Sequence, residues 1–363
     1  MSSLAALFSQ PPSSFHSWKQ TVSHLNLSSA ATKYLWNGLS EETRAVYESA
    51  KRSYEFYCSY FTISPWPAQE HVLAEWASAR ADGSSQIRFQ GKVKPKTILS
   101  MISALHSVHV DRRLSTKPFE SEWLKRILAG ISRCHSSDNT KKAEPISLTT
   151  LEKVVNTGDK TIEELNFNSA CKVAFAGFLR SGEFCYSASD LKDNHTFINT
   201  KLTRSDITFT TDDSYAVLHL KWSKSDTEHH GVDIILAATN GPCCPVTALK
   251  NLFKYDPQPP SAPLFRLQGP CDYNSFVSML RNRLQALNVP NWQNYSGHSF
   301  CRGAAQHASD NGMLGYDIQR LGRWSSDAFK LYFEESFLNR YILNRQFLTG
   351  AVPPVFNLAP PSS

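Results

Sequence analysis

Hydrophobic residues recur at helical spacing in four segments of the first third of the chain. The first segment follows Ser40, a residue type that caps helices, with two glutamates in the first turn, where the helix dipole favours acids. The residues predicted to face inward are Val46, Ala50, Tyr54, Tyr57 and Phe61, then Val72, Leu73 and Trp76 in a helix from Pro67, then Ile98, Ile102 and Leu105, and lastly Trp123, Ile127, Leu128 and Ile131. This pattern predicts a helical domain of about 100 residues, an ordinary domain size.

The remainder of the chain mixes helical patterns with one β region. A helix begins at Ser147, and an apolar helix over residues 167–179 closes at Arg180. Residues rich in β-branched and aromatic types, with polar connections, predict three antiparallel strands at 207–210, 215–222 and 232–236. Helices resume at 245–253 and 273–287. The predicted fold is mainly α (α+β), with one small three-stranded antiparallel sheet.

The same pattern predicts the domain boundaries. Residues 1–29 contain Pro11-Pro12 and many serines, which is typical of a flexible arm. Residues 30–134 form the helical domain, and the polar stretch 135–145 is an interdomain linker. Residues 146–350 form the second domain, and residues 351–363 a disordered tail rich in proline and serine.

Composition narrows the class of protein. No run of about 18 apolar residues occurs, so a membrane partner is not expected. The first residues lack the basic and apolar regions of a secretory signal. The eight cysteines include no CxxC pair, which favours reduced thiols in an intracellular compartment. His229-His230 and Cys243-Cys244 do not have the spacing of a zinc module.

Basic residues are concentrated in the first part of the chain. Residues 1–145 hold 18 of the 38 lysines and arginines and 12 of the 32 acids, so the whole net charge of +6 arises there. Candidate phosphate contacts are the knot of Arg88, Lys92, Lys94 and Lys96 and the linker residues Lys141 and Lys142. Such a patch attracts nucleic-acid phosphates. A solvated loop explains the knot equally well, and a solvated connector is the default interpretation of the linker lysines.

One dense polar cluster lies in the last third of the chain. It spans residues 295–303, which include His298 and Arg302, and is followed by Arg323-Trp324 and by Tyr332. Basic and imidazole groups beside a tyrosine suit an anionic substrate. From these residues alone, the favoured interpretation is a helix cap at Ser296 or His298 with a core tryptophan and tyrosine.

In order along the chain, these residues resemble the motifs of the tyrosine recombinase and integrase family. The family has an arginine ending an apolar helix, a hairpin lysine, a histidine with an arginine three residues later, a histidine or tryptophan, and a tyrosine. The matching residues here are Arg180, Lys224, His298, Trp324 and Tyr332. The amino-acid sequence of residues 322–329 resembles that of recombinases from the eukaryotic Crypton-type branch of mobile elements, which are most often fungal.

The resemblance implies a function and a role for each residue. Tyr332 would attack a DNA phosphodiester and form a covalent 3′-phosphotyrosine, while Arg180 and Arg302 hold the phosphate oxygens. Lys224 would protonate the leaving 5′-oxygen, His298 would assist proton transfer, and Trp324 would donate to the phosphate. Glu183 would orient the side chain of Arg180 or of His298 without contacting the phosphate itself.

The resemblance also implies the surroundings of the reaction. Residues 30–134 would be the core-binding domain, which closes on double-stranded DNA with the catalytic domain of residues 146–350. The protein would act in the nucleus as a homo-oligomer, a dimer or tetramer on DNA. No metal and no cofactor are expected, because side chains supply the cations and the covalent bond conserves the phosphodiester energy.

One departure from the family pattern leaves two alternatives. The position three residues after His298 is Cys301, and the arginine follows one residue later as Arg302. One residue is a rotation of about 100° on a helix, so Arg302 either reaches the phosphate through a local adjustment or leaves the site impaired. The rival to a recombinase is therefore a decayed relative that binds DNA without chemistry. A third interpretation is a monomeric nickase of topoisomerase type.

Overall fold

The structure of this chain is a computed structural model, which describes residues 15–83, 91–135, 143–156, 160–221 and 231–324. The chain divides into two compact units, Met1–Thr140 and Lys141–Ser363. Each unit has a hydrophobic core of its own. No helix within the described ranges combines the length and apolar character needed to cross a membrane.

All regular secondary structure in the described residues of the first unit is helical. Its helices are α1 (Phe15–Thr21), α2 (Ser29–Asn37), α3 (Glu41–Tyr60), α4 (Glu70–Asp82), α5 (Pro95–Asp111), α6 (Lys117–Glu120) and α7 (Glu122–Cys134), with a 3-10 turn at Ser23–Leu25. The core lies between α3, α4, α5 and α7, and Tyr54 and Trp76 are fully buried there with their rings 5.4 Å apart. The predicted helical character of this region is confirmed.

Three side chains predicted to face this core do not. Val46, Phe61 and Trp123 are 58%, 41% and 50% exposed. At the start of α3 the buried residue is Arg44, whose guanidinium lies 4.1 Å from the Trp36 ring. Residues two apart on a helix point in nearly opposite directions, so burying Arg44 turns Val46 outward.

The N-terminal arm is shorter than predicted. Residues 15–21 form α1 rather than a flexible segment, and Trp18 of that helix is buried. The Trp18 indole donates to Asp111 at the end of α5, at 2.8 Å. An anchoring aromatic residue outweighs the serine-rich composition here. Residues 1–14 lie outside the described ranges.

The second unit surrounds a buried helix with shorter elements. It comprises α8 (Leu148–Val155), α9 (Ile162–Ala176), α10 (Ser181–Phe184), α11 (Asn194–Thr200), β1 (Ile207–Phe209), β2 (Tyr215–Leu220), β3 (Val232–Ala237), α12 (Pro245–Tyr255), α13 (Tyr273–Ala286), α14 (His298–Asp310) and α15 (Gly315–Leu321). Short 3-10 turns lie at Asp190–Lys192, Arg204–Asp206 and Trp292–Asn294.

The predicted sheet is present as an antiparallel meander in the order β1-β2-β3. Ile207 pairs with Leu218, and Leu218 pairs in turn with Ile234. These three side chains lie on one face of the sheet and are buried, since residues directly opposite each other share a face. The predicted fold class, mainly α with one small three-stranded sheet, is confirmed.

Helix α9 forms the centre of the second unit. It starts five residues earlier than predicted, at a capping box in which Thr161 and Glu164 exchange hydrogen bonds. Ten of its residues are buried. Its C-terminal end is the first element of the candidate site.

Candidate active site

A left-handed turn at the end of α9 presents Arg180. Phe178 has φ of 51°, and the Leu179 N–H donates to the Ala174 carbonyl at 2.9 Å, which ends the helix. The chain reverses there, and Arg180 precedes the short helix α10. The Arg180 side chain is 17% exposed. The guanidinium is thus held against the protein, and part of the side chain is open to solvent.

Two arginines share the carboxylate of Glu183, which is only 2% exposed. Arg180 Nη1 donates to Glu183 Oε1 at 2.9 Å, and the Arg180 backbone N–H donates to Oε2 at 2.9 Å. Arg323, from the turn after α15, donates from Nη2 to Oε2 at 2.9 Å. A buried carboxylate is stable only when charges and donors compensate it, and the two guanidinium groups do so.

Gly297 brings the start of α14 against the Arg180 turn. A Cβ at Gly297 would lie 2.6 Å from Ser181 Oγ and 2.9 Å from Tyr273 Cε2, so only a glycine permits this packing. His298, the first residue of α14, is exposed, and its N–H donates to Ser296 Oγ at 3.3 Å. The packing therefore places His298 next to the Arg180 turn, at a helix N-terminus whose dipole favours anions.

Position 301 faces the Arg180–Glu183 pair with a thiol. Burial raises the pKa of Cys301 to about 11, while the charge of Arg180 lowers it and that of Glu183 raises it. The Cys301 thiol donates to the His298 carbonyl at 3.3 Å and is uncharged at neutral pH. Arg302, the next residue, is half-buried.

Trp324 lies against the end of α9. The residue is 9% exposed, and its ring meets the Phe178 ring edge-on, with centroids 6.2 Å apart. The ring covers Gly322, where any side chain would collide with it. The Trp324 backbone N–H donates to the Gln319 carbonyl at 3.1 Å, so a turn at Arg323 ends α15 just as the Phe178 turn ends α9.

The remaining predicted residues belong to the first unit or lie outside the described ranges. Lys92, Lys94 and Lys96 are exposed in the first unit, around the start of α5. The residues outside the described ranges are the predicted catalytic Lys224 and Tyr332 and the predicted DNA contacts Arg88, Lys141 and Lys142. Within the described ranges, no group of three or more His, Cys, Asp or Glu residues is placed to hold a metal ion.

Two residues of this cluster are missed by sequence reasoning. Arg323 belongs to the segment 322–329, whose sequence resembles the family. Nothing in the spacing of Arg323 predicts that its side chain turns inward to Glu183. Its only signal is a charge between a glycine and a buried tryptophan. Gly297 precedes the predicted histidine, but a close approach depends on Ser181, which is 116 positions away in the sequence.

Known proteins resemble this chain in their three-dimensional structure but not in their amino-acid sequence. No protein-family model matches the chain, and no curated protein sequence matches it. The Tn1549 transposon integrase in complex with transposon right end DNA is similar in structure, with a TM-score of 0.55 and 13% identity, over 86% of this chain and 95% of that chain.

Two further structures show the same likeness. The XerH site-specific recombinase bound to palindromic difH substrate has a TM-score of 0.55 and 12% identity, over 85% of this chain and 79% of its own. A lambda integrase dimer bound to a COC′ core site has a TM-score of 0.50 and 12% identity, over 88% and 77%. The chain has the fold of the tyrosine recombinases.

Proposed function

We propose that this chain cleaves and rejoins DNA strands at specific sites through a covalent 3′-phosphotyrosine on Tyr332. The observation that carries the proposal is the packing of Gly297 against Ser181, which brings the arginine turn and the histidine helix together. This arrangement occurs in a fold whose similar structures were solved with DNA. Site-specific recombination is the chemistry that these two facts support together.

In the proposed reaction, Arg180 donates to the equatorial oxygens of the scissile phosphate, where charge grows in the transition state. Arg302 supplies the second guanidinium, and Trp324 orients the site from the end of α9. The Tyr332 oxygen attacks phosphorus as its proton leaves with the help of His298, and the bond from phosphorus to the 5′-oxygen breaks. Lys224 protonates that oxygen. The reverse sequence rejoins the strand with no net change in phosphodiester bonds.

We further propose that the enzyme recombines or integrates a mobile element of the eukaryotic Crypton-type branch, in the nucleus. The amino-acid sequence of residues 322–329 supports the assignment to this branch. Double-stranded DNA would contact both units, and the excess of positive charge in residues 1–145 supports a role for the first unit. The protein would assemble on DNA as a homo-oligomer, since strand exchange needs more than one cleavage at a time.

A second function has one observation in its favour. Cys301 presents an uncharged thiol to the Arg180–Glu183 pair. If Arg302 does not supply the second cation, the protein is a decayed relative that binds DNA without cleaving it. The two functions predict the same binding and differ in covalent chemistry.

A nicked duplex separates them. When the nick lies just beyond the scissile phosphate, the short leaving strand diffuses away and cleavage cannot be reversed. We expect a protein–DNA adduct that resists boiling in detergent and forms in the presence of a chelator. Absence of an adduct on the natural target would support the binding protein instead.

A further inference from the structure

Arg323 is bound to the end of α9 as well as to Glu183. Its Nη1 donates to the Gly177 carbonyl at 2.8 Å, and its Nη2 lies 3.4 Å from the Phe178 carbonyl. These carbonyls form the negative end of a helix, where a cation is favoured. The side chain therefore links the turn that carries Trp324 to the turn that presents Arg180.

The backbone of Arg323 is unfavourable for an arginine. Its φ of 56° lies in the left-handed region, which a glycine adopts without strain. The guanidinium is inside the protein, and the side chain is 11% exposed. A strained backbone and a buried charge are both costs, and the contacts to Glu183 and to the α9 carbonyls offset them.

The charges of this cluster have a consequence for Arg180. A lone Glu183 carboxylate would cancel the charge of the Arg180 guanidinium, which would weaken the attraction for a phosphate. With Arg323 present, two guanidinium groups share one carboxylate, and one positive charge remains. Cys301 adds none, because its thiol is neutral. In a partly buried site such a difference of one charge has a large effect on anion binding.

We propose that Arg323 is a positioning residue. It neutralises Glu183, so that Arg180 keeps a net positive charge for a bound phosphodiester. It also holds the Trp324 turn against Arg180. The proposal rests on the proposed function in taking Arg180 as a phosphate contact. It adds a residue that acts through Glu183 rather than on the substrate.

Inorganic phosphate is a probe that needs no cleavage. The measurement is the shift in thermal unfolding midpoint between sodium phosphate and sodium chloride of equal ionic strength. We expect the phosphate-specific shift of the unmodified protein to be lost in Arg180→Met and reduced to less than about a third in Arg323→Met. Arg323→Lys retains the charge and should keep most of the shift.

The double variant Arg323→Met with Glu183→Gln gives the decisive result. It removes one positive and one negative charge, so we expect it to regain more than about half of the shift, although it restores no ion pair. It also guards against misfolding, because no unpaired buried carboxylate remains. Arg266→Met is the matched control, since Arg266 likewise shares a buried carboxylate, Asp256, with a second arginine, Arg204. It should keep the full shift.

Three results would overturn the proposal. They are a full shift in Arg323→Met, no recovery in the double variant, and no phosphate-specific shift in the unmodified protein. Single-turnover cleavage of the nicked duplex should follow the same order, with Arg323→Met slower by about tenfold or more. If the phosphate results hold and the unmodified protein forms no adduct, the role of Arg323 stands and the proposed cleavage fails.

Discussion

Residues 301 and 302 decide whether the cluster has a second arginine for the phosphate. The Cys301 thiol is buried and faces the Arg180–Glu183 pair, whereas Arg302 is half-buried beside it. A transition state with charge on two equatorial oxygens is held best by planar guanidinium donors, which a neutral thiol cannot replace. In the proposed reaction, the identity of the donor at this point therefore governs the rate of cleavage.

We expect Arg302→Ala to slow adduct formation on the nicked duplex by roughly two powers of ten or more, about 2.7 kcal/mol of transition-state stabilisation. Cys301→Arg should then help little or distort the site, because Cys301 is only 1% exposed. Single-turnover rates measure both effects. Unchanged cleavage in Arg302→Ala, together with faster cleavage in Cys301→Arg, would show that Arg302 points away from the phosphate.

For single residues, the sequence predicts which residue types belong to the site better than it predicts the directions in which their side chains point. The displaced arginine is visible as soon as His298 is recognised, and Glu183 is predicted from its spacing of three residues after Arg180. The inward course of Arg323 is not predictable, because it depends on the left-handed backbone at φ of 56° and on a carboxylate from a distant segment. Local backbone preference disfavours a non-glycine residue in the left-handed conformation, but at Arg323 the tertiary contacts outweigh this preference.

Among the elements, the contact of α14 with α10 matters most for the site. Gly297 allows the two elements to meet, and Gly182 on the other side of the contact has open space around its Cβ position. The same substitution at these two glycines therefore separates an effect on packing from an effect on the backbone.

We expect Gly297→Ala to destabilise the protein by about 1–3 kcal/mol, because the added methyl group must displace Ser181 or Tyr273. It should also slow adduct formation, since it moves His298 away from Arg180. Gly182→Ala should be neutral or slightly stabilising in urea unfolding, because alanine is the better helix former. Equal stability of the two variants would contradict the close packing at Gly297.

The elements themselves follow the sequence where local signals and burial agree. Ser40 and Ser147 start their helices and the strands pair as predicted, whereas α9 begins five residues earlier than predicted, at the Thr161 capping box. The helix expected at Pro67 begins instead at Glu70. Helix faces are less predictable than helix positions, because the exposure of Val46 and Trp123 depends on which neighbours cover each turn.

For the whole molecule, DNA binding should be electrostatic. Each phosphate that the protein neutralises releases counterions, so affinity for duplex DNA should fall steeply with salt. Lys92, Lys94 and Lys96 are exposed around the start of α5, in the part of the chain that carries the excess positive charge. We expect these lysines to contact phosphates of the DNA backbone.

Charge reversal of the three lysines should weaken binding to all duplex sequences alike, because contacts to phosphates carry no sequence information. The slope of log affinity against log salt should decrease in magnitude by up to about 3. Reversal of Lys33, Lys117 and Lys125, which are exposed in the same unit, changes the net charge equally and should have a smaller effect. Binding that does not depend on salt would exclude the proposed interaction with DNA.

The fold of the whole chain is predictable because the pattern of helices and strands agrees with the order of the motifs. The same reasoning leads to DNA cleavage as the proposed function, since the family resemblance assigns each motif residue a chemical task at a phosphate. The DNA sequence that is recognised is not predictable, because base contacts depend on side-chain directions along a bound duplex.

The most direct test of the central claim is to identify the residue that becomes linked to DNA. Mass spectrometry of the trapped adduct should place the nucleotide on Tyr332, and Tyr332→Phe should abolish the adduct while leaving DNA affinity within about threefold. Tyr295 is a poor competitor, since burial raises its pKa, and the exposed Tyr316 is an internal control. An adduct on Tyr295, Tyr316 or Tyr341, or an adduct that persists in Tyr332→Phe, would contradict the account.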